Sequence, residues 1–207
     1  LMLRTIAGYD SADPASSPLP VPDYTSVLEL GVKGLKLGVP EAYFYEPVDA
    51  EVVALLESSI EVYRRLGAEI VPVTIPETIA TTNGLTSLIT STEAAALHQK
   101  WIQERPEDYG KQTLGRLIAG LTTPATRYLQ ALNLRRQILD QFVESVFQKA
   151  DVLHIPVMIT PVPTLAESNV AANPGFSTFI AAMGHCTRPI NYLGLPALSV
   201  PCGFTKS

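Results

Sequence analysis

Apolar positions change their spacing along the chain, and the change separates strands from helices. Leu35 to Val39 is a short, nearly continuous apolar run closed by Pro40, the pattern of a buried strand. Asp49 suits a helix N-cap, and Val52, Leu55, Leu56, Ser59, Val62, Tyr63 and Leu66 then recur at helical spacing until Gly67. Arg64 and Arg65 favour the C-terminal end of that helix, and Ile70 to Val73 reads as the next strand. Residues 27–83 are thus a strand-helix-strand unit with a crossover between parallel strands. Helical spacing governs residues 84–149. One helix covers about 84–104 and stops before Pro106, and a shorter one covers about 110–120 and ends at Gly120. A long helix opened by Pro124 runs to about Lys149, with Leu132, Leu139, Phe142, Val143, Val146 and Phe147 facing the core. Residues 150–207 hold the final strands and a pocket loop. They comprise a buried strand over Asp151–Val157, a proline-rich loop over 158–175, a small-residue helix over Phe176–His185 and a strand over Leu198–Pro201. Residues 1–26 form an extended, proline- and serine-rich connection. Leu1–Ala7 reads as the last turn of a helix, with Gly8 as its left-handed stop. The pattern predicts an α/β fold, a mixed β-sheet flanked by helices. The apolar opening and the strand-like close suggest truncation of a longer domain.

Composition narrows the function classes. The chain has 207 residues, 46% of them hydrophobic, a net charge of −5 and a pI near 5.2. No basic stripe is present, which argues against nucleic-acid binding through phosphates. The apolar runs fall far short of the roughly 20 residues of a membrane helix. The first residues lack the charged and long apolar regions of a signal peptide, so a cytoplasmic protein is expected. Cys186 and Cys202 have no CxxC spacing and read as buried small residues. His98, His154 and His185 show neither HxxxH nor HxH spacing, so packed or surface roles are expected rather than a metal site, and no cofactor is expected. Glu93, His98, Arg116, Arg135 and Arg136 read as solvated faces and structural ion pairs. Ser16-Ser17 lies in the connection, where local Asx and Ser turns account for it.

One stretch is more specific. Thr187-Arg188-Pro189-Ile190-Asn191-Tyr192-Leu193-Gly194-Leu195-Pro196-Ala197-Leu198-Ser199-Val200-Pro201-Cys202-Gly203-Phe204 resembles the C-terminal block of the amidase signature family, roughly T-x-P-x-N-x-x-G-x-P-A-x-S-x-P-x-G. Three further blocks agree in order. Gly8-Tyr9-Asp10 with Asp13 and Ser16-Ser17 is similar to the family's G-x-D-x-x-D-x-x-S connection. Gly34 to Pro40 resembles its next strand, and Ala150 to Pro156 its D-x-L-x-x-P strand. The cluster Glu93-Ala94-Ala95 with His98, and Tyr109-Gly110, also looks similar to the family. Physically, Gly194-Leu195-Pro196 reads as a turn before a strand bracketed by Pro196 and Pro201, with Asn191 free to tie the turn to nearby backbone.

The resemblance implies a partial amidase-signature fold in a hydrolase of carboxamides. Such enzymes use a serine nucleophile, a second serine and a lysine held neutral by burial, with backbone donors of a glycine-rich loop stabilising the oxyanion. No Gly-Gly or Gly-Ser step occurs in this chain. Its serine pairs, Ser16-Ser17 and Ser58-Ser59, lack glycine flanks, and Lys33 and Lys36 lie outside the family's catalytic block. The catalytic block is therefore expected upstream of residue 1, no catalytic residue is assigned here, and the isolated chain should be inactive. What remains is pocket wall, for which Met158, Phe176, Thr187 and Asn191 are the candidate substrate-binding residues. Two positions depart from the family pattern: Val157 stands where many members have threonine, and Cys186 where an aromatic is common. The favoured function is a general amidase; the alternatives are the A subunit of a glutamyl-tRNA(Gln) amidotransferase and a stand-alone binding or assembly module. The amidotransferase protein carries a tyrosine-rich stretch in the helical region near a glutamine-binding arginine, where Leu121 to Tyr128 of this chain offers one tyrosine only. The expected partner is a small-molecule amide substrate of the full-length protein, with neither nucleic acid nor membrane. Apolar surface opened by truncation should also favour homo-oligomers.

Overall fold

A computed structural model of the chain describes residues 2–169, 173 and 175–205, with Ser177 described by its backbone only. Among these residues, α1 is Met2–Ile6, β1 Lys36–Pro40, α2 Ala50–Arg65, β2 Glu69–Val73, α3 Thr82–Glu104, α4 Lys111–Leu121, α5 Ala125–Phe142, β3 Val152–Leu153, α6 Phe176–Met183 and α7 Thr187–Leu193. The α/β class holds. The described strands form one parallel sheet in the order β2-β1-β3, with Leu37 opposite Ile70 on one side and Val152 on the other. The central strand is closely packed: a Cβ on Gly38 would meet the Ala150 Cβ at 2.8 Å.

Local chemistry explains most element boundaries. The Asp49 carboxylate accepts from the Glu51 N–H at the start of α2. At its end Gly67 takes the left-handed conformation, φ 92°. Leu56 and Ile60 are the buried positions of α2, whereas Val62 and Leu66, expected on the core face, are exposed. The core gathers Phe44, Val73, Ile79, Ile89, Ala131, Ile138, Phe142, Val146, Tyr192 and Leu193 between the sheet and α3, α5 and α7.

Several expectations need correction. The long helix does not continue to Lys149 as α-helix: Val143–Phe147 widens into a π turn, which leaves Val143 exposed while Val146 stays buried. The strand expected over Asp151–Val157 pairs only at Val152–Leu153. No strand forms over Leu198–Pro201. Before it, α7 ends at Leu193, and Gly194 takes the left-handed conformation, φ 72°, at the turn expected over Gly194-Leu195-Pro196. The helix expected over about 110–120 is α4, which ends one residue beyond Gly120 at Leu121. Gly8 is not among the glycines of positive φ. Cys202 is exposed, unlike Cys186, against the expectation that both are buried. The expected loop over 158–175 and both chain ends lie partly outside the described residues. No described helix is long and apolar enough to cross a membrane.

Candidate functional site

The helix α3 carries polar side chains where a core helix would carry apolar ones. Thr86, Thr90 and Glu93 follow one another along a single face at helical spacing. That face meets α5 and α7, and a hydrogen bond ties each pair of the three helices. The Thr86 hydroxyl lies 3.1 Å from the Arg188 carbonyl of α7, with its own helix carbonyl at Thr82 2.7 Å away. The Tyr192 hydroxyl of α7 donates to the Ala131 carbonyl of α5 at 2.6 Å. The Tyr128 hydroxyl of α5 donates to the Glu93 carboxylate of α3 at 2.8 Å. Within this triangle lies a cavity of about 170 Å³ lined by Thr86, Ile89, Thr90, Glu93, Arg135, Asn191 and Tyr192.

Arg135 supplies the positive charge of the cavity and Glu93 the negative one. The Arg135 Nε–H is buried and has no hydrogen-bond partner among the described residues. None of the ion pairs among those residues includes it. The guanidinium carbon sits 5.5 Å from the centre of the Tyr192 ring, a cation–π distance. Arg136 behaves differently, pairing with Asp140 one turn along at 2.8 Å. The Glu93 carboxylate, by accepting the Tyr128 proton, holds that phenol above its ordinary pKa, with burial and the carboxylate charge adding and Arg135 opposing. Burial likewise raises Tyr192, again against Arg135. The cavity therefore offers N–H donors at Arg135, an acceptor at Glu93 and both at Asn191. No serine, cysteine or lysine is among the described residues that line it, so these can bind and orient a group but supply no nucleophile. Its volume is well below the roughly 300–1,000 Å³ of sites for whole drug-sized ligands. One functional group fits, not a large molecule. A larger, shallow depression of about 390 Å³ along α5 is lined by Gln130, Asn133, Leu134 and Gln137, none of them titratable.

Of the candidate pocket residues, Asn191 lines the cavity. Met158, Phe176 and Thr187 are not among its described lining. Phe176 packs near Phe179, ring centres 6.4 Å apart, and Thr187 is exposed at the start of α7. Sequence reasoning misses Arg135, because it groups that residue with the solvated and ion-paired charges. A signal exists: its neighbours at i±3 and i±4 are Leu132, Ala131, Ile138 and Leu139, so it stands on the core face of its helix.

A second constellation has the outline of a triad. His154 holds the Ser59 hydroxyl at Nε2 and the Tyr45 hydroxyl at Nδ1, each at 2.8 Å. Burial pushes the His154 pKa down and the Tyr45 phenol up. Ser59 lies inside α2, where helix bonds consume the neighbouring backbone donors, so no oxyanion site accompanies it. The group fastens α2 and the 41–48 loop to the end of β3. His185 stacks on the Tyr43 ring at 4.4 Å, and His98 bonds the Tyr109 hydroxyl at 2.8 Å; both are packed, as expected.

Known proteins resemble this chain in sequence and in fold. The family profile for amidases matches residues 1–207, and the chain belongs to the amidase signature family. An amidase from Pseudomonas putida is 37% identical over 210 residues, aligning all of this chain to 44% of that enzyme. The A subunit of the Myxococcus xanthus glutamyl-tRNA(Gln) amidotransferase is 34% identical over 229 residues, aligning all of this chain to 46% of that protein. The crystal structure of the corresponding protein from Thermotoga maritima superposes with a TM-score of 0.72 at 28% identity, covering 96% of this chain and 42% of that one. The chain thus spans less than half the length of the curated relatives it matches.

Proposed function

We propose that this chain forms pocket wall in an amidase that hydrolyses carboxamides, with a serine–serine–lysine centre supplied by residues other than these. The observation that carries the reading is the place of Asn191. It belongs to the block that resembles the family, and it lines the same cavity as an arginine whose Nε–H lacks a partner. A cavity with directed donors and no nucleophile suits orientation of a substrate rather than its cleavage. The isolated chain should hydrolyse neither acetamide nor benzamide, and serine-dependent hydrolysis by it would overturn the proposal. Fused behind the upstream part of the Pseudomonas putida enzyme, the chain should support carboxamide hydrolysis. Arg135→Leu or Asn191→Leu in that fusion should raise KM.

One observation favours a second reading, the glutamyl-tRNA(Gln) amidotransferase. The one tyrosine of the segment 121–128, Tyr128, stands at the same cavity as Arg135 through its bond to Glu93. The fusion separates the two readings: preference for glutamine over benzamide supports the amidotransferase, and the reverse supports a general amidase. Self-association belongs to the same proposal. Leu198 and Phe204, 87% and 96% exposed, lie on a segment without a strand partner among the described residues. Sedimentation should show dimers or larger species, and a monomer at high concentration would refute this.

A further inference from the structure

Tyr192 is 2% exposed and would pass for an ordinary core residue. A leucine could fill that space, but the phenol makes two directed contacts that a leucine cannot. Its hydroxyl is fixed to the Ala131 carbonyl at 2.6 Å, on the helical turn directly before Arg135. Its ring lies under the Arg135 guanidinium at 5.5 Å. One contact anchors α7 to α5, and the other uses that anchor to hold the charge. A guanidinium with one face occupied by a ring keeps its edge, and so its N–H fork, available for planar acceptors. The Nε–H at that edge is the donor left without a partner among the described residues. Tyr128 and Glu93, the remaining polar pair at the cavity, bond to each other and not to Arg135.

We infer that Tyr192 is a positioning residue: it aims Arg135 so that the edge of the guanidinium, and not its face, meets an acceptor group entering the cavity. The inference rests on reading the cavity as substrate pocket. The phenol is thereby a determinant of which polar group binds, although its hydroxyl is committed to backbone. Removing the ring frees the guanidinium to swing towards solvent, at a cost in acceptor binding of about tenfold, within the range of a partly buried cation–π contact.

The test follows the Arg135 Nε–Hε resonance of the ¹⁵N-labelled chain, assigned by its loss in Arg135→Lys, during titration with sodium acetate and, separately, acetamide. In Tyr192→Leu the resonance should move as the ring current vanishes, and acetate affinity should fall about tenfold. Tyr192→Phe, which keeps the ring and loses the anchor, should fall between. Ile138→Val, a core trimming on α5 outside the cavity, should change neither. An unaltered resonance and affinity in a folded Tyr192→Leu, or an equal loss in Ile138→Val, overturns the inference. Should Tyr192→Leu fail to fold, Tyr192→Phe decides, and unchanged solvent exchange of the Arg135 Nε–H overturns it. If neither probe moves the wild-type resonance, the pocket reading falls, and the resonance shift in the variants still judges Tyr192.

Discussion

Gly120 offers a sharp test, because the structure gives it a second role beside the one read from sequence. Read in sequence, it marks the end of a helix; in the structure it is the penultimate residue of α4 and packs against the backbone of α3. A Cβ at this position would lie 2.0 Å from the Ser91 carbonyl oxygen and 2.8 Å from the Ala95 Cβ. An ordinary C···O contact is about 3.3 Å, so the helices would have to separate by more than roughly 1 Å. The obstacle is backbone, which cannot rotate away as a side chain can. Alanine improves intrinsic helix propensity by about 1 kcal/mol, and overpacking of this severity costs about 3 kcal/mol. Gly120→Ala should therefore destabilise by about 2 kcal/mol. Gly115, on the same helix, has nothing within 4 Å of its hypothetical Cβ. There the propensity term acts alone, and Gly115→Ala should stabilise by about 0.5–1 kcal/mol. Urea unfolding of the two variants with unchanged m-values gives the comparison directly. The displaced strip of α3 includes Thr90 and Glu93, so Gly120→Ala should also weaken acetate binding. If Gly120→Ala proves as stable as Gly115→Ala, the close crossing is wrong.

Three other outcomes follow. His154 is buried and its folded pKa lies below the ordinary value of about 6.5, so protons bind the unfolded chain more readily. Its contribution to stability is complete above about pH 6.5 and is lost as the pH falls from there towards the folded pKa. The stability difference between wild type and His154→Gln should shrink over that window, and a difference constant with pH would refute the assignment. Gly38→Ala places a methyl 2.8 Å from the Ala150 Cβ, 3.2 Å from Val73 Cγ1 and 3.3 Å from the Val152 carbonyl oxygen. Calorimetry should show a loss of about 1–3 kcal/mol, and an unchanged transition would contradict the packing of the central strand. Cys202 should react rapidly with a thiol reagent in the native protein. Cys186, buried with its thiol pushed up to about 12, should react only on unfolding, and two rapidly labelled thiols would contradict this.

Periodicity and punctuation make the strand-helix-strand unit legible: a capping Asp49, a stopping Gly67 and a run closed by Pro40 each act within a few residues. The long helix is legible in place but not in geometry, because no residue type announces the π turn at Val143–Phe147. The strand at 152–153 is shorter than its apolar run, since such a run records burial and not the length of the ladder beside it. The site is legible at Asn191 through the family block alone. Arg135 escapes a reading that weighs charge before helical face. The Tyr128–Glu93 contact, across 35 positions of sequence, depends on tertiary packing that no local pattern encodes.

The block from Thr187 to Phe204 divides into two parts with different physical needs. Through Gly194 it is helix, with Pro189 accepted in the first turns and Asn191 and Tyr192 delivered to the cavity. Beyond Gly194 it is extended, and no backbone hydrogen bond joins residues 196–204 to another strand among the described residues. Yet it has the sequence of a strand. Leu198, Val200, Cys202 and Phe204 share one face by the alternation of a pleated chain. Pro196 and Pro201 fall on opposite edges, so each edge loses one donor and keeps those between. Leu198 and Val200 could direct their N–H groups to one side, Ala197 and Ser199 to the other. With Phe204 96% exposed, a segment patterned for pairing on both edges is open to a neighbouring strand. If the self-association proposed above uses this segment, Leu198→Lys with Val200→Lys should abolish it while leaving Asn191 and Arg135 in place, and unchanged sedimentation of that variant would refute the assignment.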